Sequence, residues 1–144
     1  MADTRVQVEI ENWVRCEWLP QKFNRIFRSE RMRLTPGGVF KFDAVSEDDA
    51  IVANISTSSS LTARGKRASA KLQKLRSDML FLLMTQAEKR LIVLTEKDMY
   101  ELCIREKLSG RIPMEIEFLH AELPADLTTS LRAAKLVASK EVTP

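Results

Sequence analysis

Asp43, Asn54 and Ser56 are the polar side chains whose spacing can do chemistry. In Ile51-Val52-Ala53-Asn54-Ile55-Ser56, the period of two of a strand puts Ile51, Ala53 and Ile55 on one face and Val52, Asn54 and Ser56 on the other. Asp43, in Val39-Phe40-Lys41-Phe42-Asp43-Ala44-Val45, comes within reach of that polar pair if the hairpin is centred on Glu47-Asp48-Asp49. Next along the chain is a run without acids: from Ala50 to Ser77 the charged residues are Arg64, Lys66, Arg67, Lys71, Lys74 and Arg76, or +6, in a chain of formal charge +3. A concentrated positive segment beside a polar cluster suits phosphate. The same cations also suit a solvated helix face, and composition alone does not choose between the two.

The elements that must position these groups follow from periodicity. Val6, Ile10, Trp13, Val14 and Glu17 recur at helical spacing, with Pro20 limiting the helix. Met32 to Leu34, the turn Thr35-Pro36-Gly37-Gly38, the strand at 39–45, the turn Ser46-Glu47-Asp48-Asp49 and the strand at 50–56 make an antiparallel meander. A Ser/Thr-rich linker leads to a long helix over residues 66–88. Its first half clusters Arg64, Arg67, Lys71 and Lys74 in one sector, and its second half, residues 79–84, is apolar on every side and is expected to be buried. Leu91-Ile92-Val93-Leu94 reads as a buried strand, and Thr95 with Asp98 as a capping pair for a helix over 96–108, closed by Gly110. Residues 114–119 alternate as an outer strand, and Pro124 opens a last helix to about residue 138. The expected order is αβββαβαβα, one mixed-sheet α/β domain over residues 1–144 with helices on both faces.

Several classes of function are excluded. With 44% hydrophobic and 30% charged residues, the chain is too apolar and too weakly charged to be disordered. No apolar run approaches the roughly 18 residues of a membrane span. The start of the chain lacks a basic and then apolar leader, so a cytoplasmic location is expected. Cys16 and Cys103 form no metal-ligand spacing and are expected to be reduced, buried thiols. His120 has no second histidine or nearby cysteine and reads as a strand-end residue rather than a catalytic base.

A helix, a three-strand meander carrying an aspartate, a strand with two polar residues one apart, a long helix and another strand are together similar to the core of the PD-(D/E)XK nuclease superfamily, the restriction-endonuclease-like fold. The segment Gly37-Gly38-Val39-Phe40-Lys41-Phe42-Asp43 looks like the strand that delivers the motif aspartate, and the strand at 51–56 occupies the place of acid-x-Lys. The resemblance implies an αβββαβ core, a mixed sheet flanked by helices, with an added strand and a C-terminal helix. In the family, two acids hold a divalent metal, usually Mg2+, and a lysine orients or deprotonates the attacking water. Carried over, Asp43 matches the first acid, Asn54 stands where the second belongs, and Ser56 where the lysine belongs. Asn54 brings a carbonyl oxygen without charge, and Ser56 brings no ammonium group.

Some family members place the lysine on the following helix, where Lys66, Lys71 and Lys74 lie. Gln73 sits where an accessory polar residue is often found, and is also an ordinary solvent-facing helix former. A third carboxylate comes from the first helix in part of the family, and Glu11 fits that order. Glu17 lies on the apolar stripe of Ile10, Trp13 and Val14, where a carboxylate needs a partner or a metal unless the helix end turns it to solvent. The metal candidates are therefore Asp43, Asn54, Glu11 and Glu17. Trp13 and Trp18 either stack on bases or belong to the core. The expectation is a nucleic-acid-associated protein, degenerate at the catalytic site, that binds DNA or RNA through Arg64, Lys66, Arg67, Lys71 and Lys74. The alternatives are an active Mg2+-dependent endonuclease with a relocated lysine, and a non-catalytic module for homodimerisation or protein interaction, with no membrane partner.

Overall fold

The computed structural model describes residues 5–61 and 69–142, so Arg64, Lys66 and Arg67 lie outside the described residues. Five strands form one mixed sheet in the order β1-β2-β3-β4-β5, with β1 Phe27–Arg33, β2 Val39–Ser46, β3 Ile51–Ser56, β4 Lys89–Leu94 and β5 Ile116–His120. The first three are antiparallel, joined by tight turns, and β3–β4 and β4–β5 are parallel. Parallel neighbours need crossovers. Helices α3, Ser69–Leu83, and α4, Lys97–Leu108, supply them. Both crossovers advance the same way across the sheet, so a common hand places both helices on one face. Leu75, Met79 and Leu82 of α3 and Met99, Leu102 and Cys103 of α4 pack there on Val45, Val52, Ile92 and Leu94.

The other face is covered by the first and last helical segments. Ile10, Val14, Leu19 and Leu131 pack on Ala44, Ile51, Ala53, Ile55, Leu91 and Val93. The strict alternation of Leu91 and Val93 against Ile92 and Leu94 shows why β4 is apolar from Leu91 to Leu94: that part is buried on both sides. No helix among the described residues is long and apolar enough to cross a membrane.

The first helix departs from expectation. It does not stop at Pro20: α1, Arg5–Trp13, passes through a π-helical turn, Val14–Trp18, into α2, Leu19–Phe23. Pro20 has no N–H to give, and as an early residue of α2 it needs none. The wider turn adds one residue, so the buried series runs Ile10, Val14, Leu19, with spacings of four and then five. Asn24 caps α2 in the left-handed region at φ 53°, its N–H donating to the Pro20 carbonyl at 2.8 Å, and redirects the chain into β1.

Other boundaries move for local reasons. Strand β1 begins at Phe27, five residues before Met32, because an edge strand tolerates the charges of Arg28, Glu30 and Arg31 that mask its alternation. Helix α3 ends at Leu83, and Leu80 is 52% exposed, so its apolar half is not buried all round. Thr95 and Asp98 do not form a cap: Thr95 donates to the Ser56 carbonyl, and Asp98 turns to Ser59 and Ser60. Cys103 is buried as expected, but Cys16 is exposed on the π turn. The last helix, α5, runs over Ala125–Val142 rather than fraying near residue 138. His120 closes β5 and stacks on Tyr100 at 5.5 Å.

Candidate functional site

Asp43 sits where two strands separate. In the β1/β2 ladder Arg28 opposes Val45 and Glu30 opposes Phe42, which leaves Asp43 and Ala44 together against Ser29. Two residues against one is a β-bulge, and it bends β2. On its other side β2 keeps to β3 only through Ala44–Ala53 and Val45–Val52. Beyond the bulge, the far half of the hairpin lies along α3: Phe40 stacks on Phe81 at 4.2 Å and 11°, and the Thr35 N–H and hydroxyl donate to the Met84 carbonyl at 2.8 and 2.7 Å.

Side chains close the gap that the bend opens. The Ile55 N–H donates to Oδ2 of Asp43 at 2.8 Å, and the Asp43 N–H donates to Oδ1 of Asn54 at 3.2 Å. The carboxylate and the amide thus replace the missing rung of the ladder, each bonding the other's strand. Arg15 donates to the Asp43 carbonyl at 2.8 Å and also bonds Oδ1 of Asn12, which ties the π turn to the same point. Asn54 is only 4% exposed, and its Nδ2 is a buried donor without a partner.

The charges around this point are mixed. Burial raises the Asp43 carboxyl above its ordinary value, against the Ile55 N–H and the positive charges of Lys74, Arg15 and Lys41, which lower it. Burial also raises Glu11, and the nearby Asp43 charge adds to the rise. Asp78 on α3 is buried and raised by that burial, although Lys74 bonds it at 3.3 Å. Three carboxyls and three cations therefore share one electrostatic neighbourhood.

The residues singled out in the sequence divide accordingly. Asp43 and Asn54 are brought into contact, Glu11 is within electrostatic reach of them, and Lys74 acts on Asp43 from α3. Ser56 is the half-buried last residue of β3, and its hydroxyl is turned into its own bend, accepting from the Ser58 N–H at 3.3 Å. Glu17 does not join the site: it is exposed on the π turn, whose extra residue rotates it off the apolar stripe. Lys71 and Gln73 are exposed on α3. Trp13 and Trp18 are half-buried against the core, and Lys22 lies over the Trp18 ring at 5.5 Å.

Sequence reasoning missed Arg15, Lys41 and Asp78. A signal existed for each: Arg15 follows Glu11 by four residues, Asp78 follows Lys74 by four, and Lys41 precedes Asp43 by two on the same strand. Asp98 was also misread. Its Oδ2 accepts from the Ser59 hydroxyl at 2.5 Å and from the Ser60 N–H and hydroxyl at 3.0 and 2.9 Å, which fastens the chain leaving β3 to the start of α4. Lys135 of α5 adds a second tie, donating to the Thr57 carbonyl at 2.9 Å and Glu96 at 2.8 Å.

Chemically, the arrangement favours strand-bridging over ion binding. The Oδ2 of Asp43 and the Oδ1 of Asn54 meet backbone N–H groups, and the only formal charge between the two residues is that of Asp43. Among the described residues no group of three or more His, Cys, Asp and Glu side chains converges as a metal site. No family model, curated protein or solved structure matches the chain.

Proposed function

We propose that this is a cytoplasmic, nucleic-acid-associated protein that binds DNA or RNA on a restriction-endonuclease-like scaffold whose cleavage site is degenerate. The observation that carries the reading is the split between β2 and β3. The motif position has its aspartate, but Asp43 and Asn54 are engaged in joining the strands while Arg15, Lys41 and Lys74 surround them. A phosphate entering that neighbourhood meets cations from three elements, and the exposed Lys71, on the same side of α3 as Lys74, extends the positive surface along the helix. The bent hairpin and the element order support the scaffold. The homodimer and protein-interaction readings use the same fold without this surface.

The test is binding of labelled single- and double-stranded DNA and RNA across a salt series, with parallel incubation in Mg2+ or Mn2+. The expected result is affinity that falls steeply with salt and no cleavage. Lys71→Ala with Lys74→Ala should weaken binding to all sequences alike. Metal-dependent cleavage abolished by Asp43→Ala would replace this reading with an active endonuclease using Lys66 or Lys71. Failure to bind any nucleic acid at low salt would leave the interaction module.

A further inference from the structure

Arg31 and Lys41 are directly opposed across the β1/β2 ladder, and Arg33 follows two residues along the same face. All three are exposed. Side chains so paired have Cβ atoms roughly 4.5–5.5 Å apart, and like charges placed there repel. Their neighbours are neutralised: Arg28 pairs with Glu30 at 2.7 Å and Asp49 at 3.3 Å, and Arg25 pairs with Asp48 at 3.7 Å. Among the described residues no carboxylate forms an ion pair with Arg31, Arg33 or Lys41. The opposite face of the same strands explains their direction. Met32 and Phe40, also a cross-strand pair, pack on the core, so alternation drives the cations outward.

This face is continuous with the site. The Lys41 charge acts on both Asp43 and Glu11, and Arg15 bonds the Asp43 carbonyl. Arg33 also borders an open cavity of about 790 Å³ whose rim includes Asp48, Asp49 and Glu88, and Lys41 is near Asp43 and Glu11, so Arg31 is the least compensated of the three. We propose that the outer face of the β1–β2 hairpin is a second contact for the sugar-phosphate backbone, distinct from the Lys71 and Lys74 contact on α3. A phosphate seated between Arg31 and Lys41 turns one repulsion into two attractions. The inference rests on the nucleic-acid reading above and adds a partner surface to it.

The experiment measures the dependence of log K on log salt by fluorescence anisotropy with a labelled oligonucleotide. The combined variant Arg31→Gln, Arg33→Gln, Lys41→Gln should lose about 2 units of slope on single strands and about 3 on duplex. Arg31→Glu separates binding from folding, because it sets a carboxylate opposite Lys41. Its thermal midpoint should hold or rise while affinity falls. Wild-type binding with a slope unchanged by the triple variant would overturn this surface and leave the α3 contact standing. No wild-type binding at low salt would overturn both. Attachment of the hairpin to vesicles of anionic phospholipid, with oligonucleotide affinity unaffected by the triple variant, would assign the face to lipid headgroups and overturn the proposal.

Discussion

Replacing Asp43 by Asn keeps an acceptor for the Ile55 N–H and removes a buried charge, whereas replacing it by Ala leaves that N–H with no bond from β2. A buried donor without a partner costs about 1–3 kcal/mol. Asp43→Ala should therefore lower the unfolding free energy by about that amount in urea titrations at pH 7, and Asp43→Asn should lose much less. The carboxyls also predict two opposite pH dependences. Burial raises Glu11, Asp43 and Asp78 above the ordinary values of 4.5, 3.8 and 3.8. Between those values and the raised ones the folded state holds more protons than the unfolded chain, so their contribution to stability falls as pH rises through that window. Asp98 is displaced the other way: burial pushes it up, but the Ser59, Ser60 and Met99 donors together hold it below 3.8. Its contribution is fully present above 3.8 and is lost as pH falls through the lowered value. Asp78→Asn should flatten the decline in thermal midpoint with rising pH, and Asp98→Asn should flatten the loss on the acid side; a scan in which neither variant changes the profile would contradict both assignments. The pairing of Asp43 with Asn54 was legible because hairpin register follows from the turn between them. Of the two readings open for Glu17, the solvent-facing one holds, because a single inserted residue in the π turn leaves the apolar periodicity before it intact and rotates everything after it.

At the scale of elements, the bulge at Asp43 and Ala44 decides where the hairpin goes, and its resting place is held by aromatic contacts. Phe40 meets Phe81 face to face at 4.2 Å and Phe42 edge-on at 4.8 Å. Removing a large aromatic from such a site typically costs about 3 kcal/mol or more when fully buried, and Phe40 is half-buried. Phe40→Ala should cost about 2 kcal/mol and raise amide hydrogen exchange across residues 32–41 while leaving β4 protected. Uniform loss of protection would show that the hairpin and the central strands open together instead. Asn24 makes a sharper local test: its left-handed φ of 53° suits Gly and opposes a β-branched residue. Asn24→Gly should be close to neutral and Asn24→Val should cost about 1–2 kcal/mol. The meander, the long helix and the buried β4 were readable because their periods are clean. The start of β1 was not, since its charges mask the alternation, and the Asp98 contacts were not, since they join residues 39 and 38 positions apart. Sequence spacing reports neighbours along an element; the pairs that fasten one element to another are set by packing.

Across the whole molecule, the charge of +3 conceals a stronger division than the one acid-free stretch suggests. Residues 18–42 hold six cations and one acid, Glu30, and residues 50–77 hold six cations and no acid. Everything else carries eleven cations against nineteen acids, or −8. The first of these basic stretches escaped notice because Glu30 interrupts it, and only the fold shows that Arg25 and Arg28 are paired while Arg31, Arg33 and Lys41 face outward. A protein with two positive surfaces and an acidic remainder is oriented by its field before it touches a polyanion. Five described cations, Arg31, Arg33, Lys41, Lys71 and Lys74, are exposed on those surfaces. If all five neutralise phosphates, log K should fall against log salt with a slope of about −3.5 on single strands and about −4.5 on duplex. Stopped-flow measurements should place much of that fall in the association rate, since exposed charges act mainly on encounter. A slope near −2 would mean that one surface binds and the other does not, and the triple hairpin variant beside the Lys71→Ala, Lys74→Ala variant would show which.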